Sequence, residues 1–122
     1  MIKIEQLTKH YGDVKAVKSI SFELDDTQIV GFLGANGAGK STTLKMMTGY
    51  LTPTKGNVYV DNMNIIDHSI EIQKSIGYLP ELNPLYGEMK VHDYLKFHAD
   101  VRGISDRDFN KALEKVVSEC GL

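Results

Sequence analysis

The stretch GFLGANGAGKSTT, residues 31–43, decides how the rest of the chain is read. Within it, Gly34 to Ser41 follow the spacing G-x-x-x-x-G-K-[ST], written here GANGAGKS. Gly34, Gly37 and Gly39 tolerate positive φ or close approach, so successive backbone N–H groups can turn inward on phosphate oxygens. Lys40 brings an ammonium to the terminal phosphates, and the Ser41 hydroxyl is placed to coordinate Mg2+. Thr42, one residue into the following helix, can donate to the α-phosphate while the helix N-terminus adds partial positive charge. A Gly-rich turn that merely precedes Lys-Ser is the plain alternative, and the flanking segments weigh against it.

Just ahead of the loop, QIVGFLG carries Ile29, Val30, Phe32 and Leu33 in an almost unbroken apolar run. This predicts a strand over 28–33 buried on both faces of a parallel sheet. After the loop, KSTTLKMMTG reads as a short helix with Leu44, Met47 and Thr48 on one face and Gly49 closing it. Further out, Ile2, Ile4 and Leu7, then Ile20, Phe22 and Leu24, alternate with polar residues as half-exposed antiparallel strands do. LTPTKGNVYVDN supplies a turn before a strand from Val58 to Val60, and SIGYLP supplies another that Pro80 stops. From about residue 90 the periodicity becomes helical. Val91, Tyr94, Leu95, His98 and Val101 share a face that Gly103 ends. Ser105 to Asp108 then has capping-box spacing before a second helix, with Phe109, Ala112, Leu113, Val116, Val117 and Cys120 on one stripe.

The 122 residues suffice for one domain and are too few for two ordinary ones. A formal charge of -2 gives no electrostatic reason to expect nucleic acid binding. The single Cys120 cannot pair within the chain and reads as a small apolar side chain on a helix face. No apolar run approaches the roughly 20 residues that span a bilayer, and MIKIEQLTKHYGD lacks a signal-peptide layout. Any membrane role is therefore expected to come through a partner. His10, His68, His92 and His98 are scattered without metal-ligand spacing.

The order of pieces, KHYGDVKAVKSISFEL, IVGFLGANGAGKSTTLKMMTG, LTPTKGNVYVDN and IGYLPELNPLYGEMKVHDYLKF, resembles the N-terminal half of an ABC transporter ATP-binding subunit. A lone P-loop leaves kinases and GTPases open; the strands before it and the IGYLPE segment after it are more specific. The resemblance implies an α/β P-loop NTPase core with an N-terminal antiparallel β-subdomain and the start of an α-helical subdomain. Residues 1–89 would form the first two parts of one ATP-binding domain, and 90–122 the third. Tyr11 falls at the aromatic position that stacks on adenine in this family. Val17 falls at the apolar position beside the base, though core packing would explain it equally. Asn36, Gly37, Ala38, Gly39, Lys40, Ser41 and Thr42 carry over as phosphate contacts, with Ser41 on Mg2+.

SIGYLPELN is similar to the family's Q-loop, which reaches the metal and the attacking water and touches the transmembrane partner. Here Glu81 replaces the usual glutamine, so a carboxylate stands where a neutral amide is the rule. It remains a candidate metal ligand and catalytic group with Lys40. YLPE variants are similar to those of multidrug, antibiotic and gliding-motility exporters. In the same terms, the mixed aromatic stretch NPLYGEMKVHDYLKF either docks a permease or packs as ordinary core.

The resemblance also implies groups that these 122 residues lack: no LSGG, no apolar strand ending in Asp-Glu and no switch histidine follow. The chain is thus expected to read as truncated before the signature loop and Walker B strand, binding ATP without turning it over. Phosphate release by the purified chain above a Lys40→Ala control would contradict this. The expected partners are a transmembrane permease and a second ATP-binding subunit, at the cytoplasmic face of the membrane. A soluble ABC-type ATPase without a permease, a P-loop kinase, or a nucleotide-binding fragment with only an interaction role are the alternatives.

Overall fold

Ile4 and Leu7 lie three residues apart, so strict strand alternation would put them on opposite faces. Both are nevertheless buried. The computed structural model shows why: Gln6 between them has φ 47, and the pairing register shifts there on both sides of the strand. The extra residue is a β-bulge that turns both apolar side chains into one core. Hydroxyls satisfy the displaced backbone. The Gln6 N–H donates to Ser21 Oγ at 2.8 Å, while the buried Thr8 hydroxyl donates to the Gln6 carbonyl and accepts from the Ser19 N–H. Gly56 is required opposite this bulge, because a Cβ there would sit 2.3 Å from the Gln6 carbonyl oxygen.

The structure describes residues 1–83 and 85–121; Pro84 and Leu122, which the sequence readings of 83–97 and 90–122 include, lie outside the described residues. Two units divide the chain, Met1–Tyr78 and Leu79–Leu122. In the first, β1 (Ile2–Tyr11) pairs antiparallel with both β2 (Val14–Leu24) and β3 (Lys55–Val60). With β4 (Met63–Asn64) they form one four-stranded sheet in the order β2-β1-β3-β4. Helices α1 (Lys40–Met47) and α2 (Ser69–Ser75) complete the unit. Ile4, Leu7, Val17, Met46, Met47, Val58, Val60, Ile65 and Ile72 make its core.

Three sequence expectations change here. Residues 28–33 do not form a strand, and Ile29 and Leu33 are fully or almost fully exposed. A doubly buried strand needs a hydrogen-bonding neighbour, and none lies beside this run among the described residues. Its tie to the unit is Phe32, whose ring packs 5.9 Å from that of Phe22. Residues 76–80 likewise form no strand. The buried face of α1 is Thr43, Met46 and Met47, one residue off the predicted Leu44, Met47 and Thr48. Both triplets have i, i+3, i+4 spacing and one threonine each, and the packing buries Thr43 in place of Thr48 and Met46 in place of Leu44.

The second unit contains α3 (Val91–Val101) and α4 (Asp106–Cys120). Gly103, at φ 73, stops α3: its N–H donates to the Asp100 carbonyl and the Ile104 N–H to the Ala99 carbonyl, a Schellman closure. Ser105 Oγ caps α4 by accepting from the Asp108 N–H. The reciprocal bond of a full capping box is replaced, since the Asp108 carboxylate accepts from the Ser105 hydroxyl at 2.6 Å. Asp is one methylene shorter than the Glu that normally reaches back. Phe109 and Ala99 are buried between the helices, whereas Val91, His98, Val101 and Cys120 are exposed, contrary to the predicted stripes.

Candidate functional site

The glycine loop is seated on β2. Gly39 precedes α1 in the left-handed region, φ 89, and a Cβ on it would meet the Ala16 carbonyl oxygen at 2.4 Å and Val17 Cγ2 at 3.0 Å. Only glycine satisfies both the dihedral and the approach. Gly37 is also left-handed, φ 81, but faces open space. Thr43, buried beneath the loop, sends both its N–H and its hydroxyl to the Gly39 carbonyl, at 2.8 and 2.9 Å. A turn bond from the Ala38 N–H to the Ala35 carbonyl shapes the span above.

No side chain caps α1, and no acidic residue stands in its first turn. Its leading N–H groups and dipole therefore favour an external anion. Lys40 Nζ donates to the Gly34 carbonyl at 2.6 Å and the Ala35 carbonyl at 2.8 Å. An ammonium has three protons, so one remains for an anion in the loop. Asn36, Ala38 and Ser41 are exposed around it and Thr42 is half-buried. A triphosphate fits this donor set, with Gly37, Gly39, Lys40 and the α1 N-terminus all presenting donors or room. For Mg2+, no cluster of three His, Cys, Asp or Glu residues suited to a metal exists among the described residues. A divalent cation here would be held by the exposed Ser41 hydroxyl and by phosphate oxygens, which suits a metal that keeps few protein ligands.

Tyr11 ends β1 with half of its surface exposed. Val17 is only 4% exposed, packed beneath Gly39. Glu81 belongs to the second unit and is exposed. In that unit Tyr86 packs 6.3 Å from the Tyr94 ring and 6.1 Å from Phe97, while Tyr86 itself stays largely exposed. Two residues about the loop escaped the sequence reading. Thr43 was hidden because a threonine carries no apolar signal, and Lys9 because a strand lysine reads as solvated surface. Lys9 Nζ in fact lies 5.4 Å over the Tyr11 ring.

No described helix is long and apolar enough to cross a membrane. The ABC transporter family model matches residues 17–121. An Escherichia coli protein named as a probable multidrug ABC transporter ATP-binding protein is 37% identical over the whole chain, which spans 21% of that relative. The Bacillus subtilis ABC transporter ATP-binding protein YhaQ is 41% identical over 93% of the chain and 37% of its own length. A solved dimeric structure of a bacterial ABC transporter cassette superposes with a TM-score of 0.84 at 25% identity, covering 100% of this chain and 58% of that one. The chain thus spans well under half of the curated relatives cited. With the P-loop seated between an antiparallel sheet and its helix, and with that family match over most of its length, the chain belongs to the ABC transporter ATP-binding family.

Proposed function

We propose that this chain binds Mg-ATP as the nucleotide-binding part of an ABC transporter ATPase subunit that powers export through a separate membrane permease. The observation that carries it is the loop at the head of α1, with left-handed Gly37 and Gly39 and with Lys40 Nζ poised on two loop carbonyls. Asn36 to Thr42 hold the phosphates, Tyr11 stacks on the base, and Val17 supports the loop from below. Ser41 serves the metal and Lys40 the phosphates, while for Glu81 the role in metal binding and catalysis rests on the resemblance of its segment to the Q-loop. Bound Mg2+ supplies positive charge against the phosphate oxygens. Residues 1–89 act as β-subdomain and P-loop core and 90–122 as the start of the helical subdomain. The working unit pairs with a second ATP-binding subunit at the cytoplasmic face of the membrane, and export as the direction rests on the resemblance of the YLPE segment to those of exporters.

Titration of the protein with ATP in excess Mg2+ tests the reading. Lys40→Ala should weaken binding at least tenfold, as loss of a charge-assisted contact worth roughly 1.5–3 kcal/mol requires. Equal affinity of the variant and the parent would overturn it.

A further inference from the structure

Two contacts of different kinds, one to a backbone carbonyl and one to an aromatic face, fix the ammonium of half-buried Lys9. Nζ donates to the Thr52 carbonyl at 2.7 Å and at the same time lies 5.4 Å over the Tyr11 ring centroid. Thr52 is no loose anchor. The Thr54 N–H donates to the Thr8 carbonyl at 2.9 Å, and the His10 N–H donates to Thr54 Oγ1 at 3.0 Å. The segment after α1 is thereby laced to the end of β1 on both sides of Lys9. The strand register also pairs Lys9 with Val17, the residue packed beneath Gly39 of the phosphate loop. One lysine thus connects the exposed aromatic ring, the segment leaving α1 and the strand under the loop.

We infer that Lys9 is a positioning residue for nucleotide binding: its ammonium occupies one face of Tyr11, fixes the ring plane, and leaves the opposite face for the adenine base. A cation over an aromatic face is attracted by the ring quadrupole, so the ring is held without covering its second face. A purine needs only that second face to stack. The role rests on the proposed stacking of ATP on Tyr11.

Inorganic tripolyphosphate separates base from phosphate recognition, because it engages the loop and has no ring to stack. Titration calorimetry with Mg-ATP and with Mg-tripolyphosphate would be run on the protein and on Tyr11→Ala, Lys9→Met and Lys9→Arg. Lys9→Met keeps the aliphatic stem and removes the cation. It should weaken ATP binding by about two- to fivefold, as expected for an exposed cation–π contact, and leave tripolyphosphate binding unchanged. Lys9→Arg, which keeps a cation and a donor, should restore ATP affinity. Tyr11→Ala should show the same base-selective loss, larger in size. A harmless Tyr11→Ala would overturn the stacking reading and the inference with it. A base-selective Tyr11→Ala beside a harmless Lys9→Met would overturn the role of Lys9 alone. Equal losses of ATP and tripolyphosphate in Lys9→Met would also overturn it, since they would mean that the lysine merely supports the loop.

Discussion

Gly37 and Gly39 occupy the same left-handed region and sit two residues apart, yet their surroundings differ. Alanine at Gly37 would meet nothing within 4 Å and would suffer only the dihedral penalty, roughly 1–2 kcal/mol. Alanine at Gly39 adds a clash with the Ala16 carbonyl, which is backbone and cannot rotate away. Gly39→Ala should therefore lower the urea midpoint of the first unit clearly more than Gly37→Ala, and should weaken ATP binding by displacing the head of α1. Comparable midpoints for the two variants would contradict the seating of the loop on β2. Gly39 shows how far a motif speaks. Its spacing identified the residue, while the carbonyl it must clear is contributed by a strand more than twenty residues earlier.

At the scale of elements, the start of α4 depends on one hydroxyl. Ser105→Ala removes the acceptor of the Asp108 N–H and should cost about 1 kcal/mol, read as a loss of helical signal at 222 nm and a lower denaturation midpoint. A second dependence joins strand ends. The Met1 ammonium donates to Asp26, just after β2, and to Asp61 at the turn from β3 to β4. Hydrogen bonds to these carboxylates hold the amine's pKa above its ordinary value. A group whose folded pKa is raised stabilises fully below its unfolded value and loses that contribution as pH rises through the folded one. The tie should thus weaken at pH above about 8, the usual α-amino value. Because both partners are exposed, the effect should be small and should shrink in high salt. A thermal midpoint for Asp26→Asn/Asp61→Asn that falls with pH as steeply as the parent's would contradict it.

For the molecule as a whole, the run from Ile29 to Leu33 is the most exposed apolar stretch of the first unit. Apolar backbone with unpaired hydrogen-bonding groups invites pairing with a second chain. Sedimentation should show dimers or larger species at micromolar concentration. Ile29→Lys with Leu33→Lys should shift the protein towards monomer without loss of the antiparallel sheet. A clean monomer in the parent would count against this reading.

The residues themselves were enough to identify the P-loop, the antiparallel character of the first strands, the Gly103 stop and the Ser105 cap, because each depends on local chemistry at fixed spacing, while the order of the pieces carried the resemblance to the family that the chain belongs to. The sequence was less informative wherever a partner surface sets the outcome. Apolar content made 28–33 look like a buried strand, but burial is a property of neighbours, and no strand pairs with this run among the described residues. The bulge at Gln6, the rotation of α1 onto Thr43 and the ammonium of Lys9 over Tyr11 are likewise tertiary decisions. Each is set by atoms distant in the chain that compete for the same space or the same hydrogen bond, and no local pattern encodes that competition.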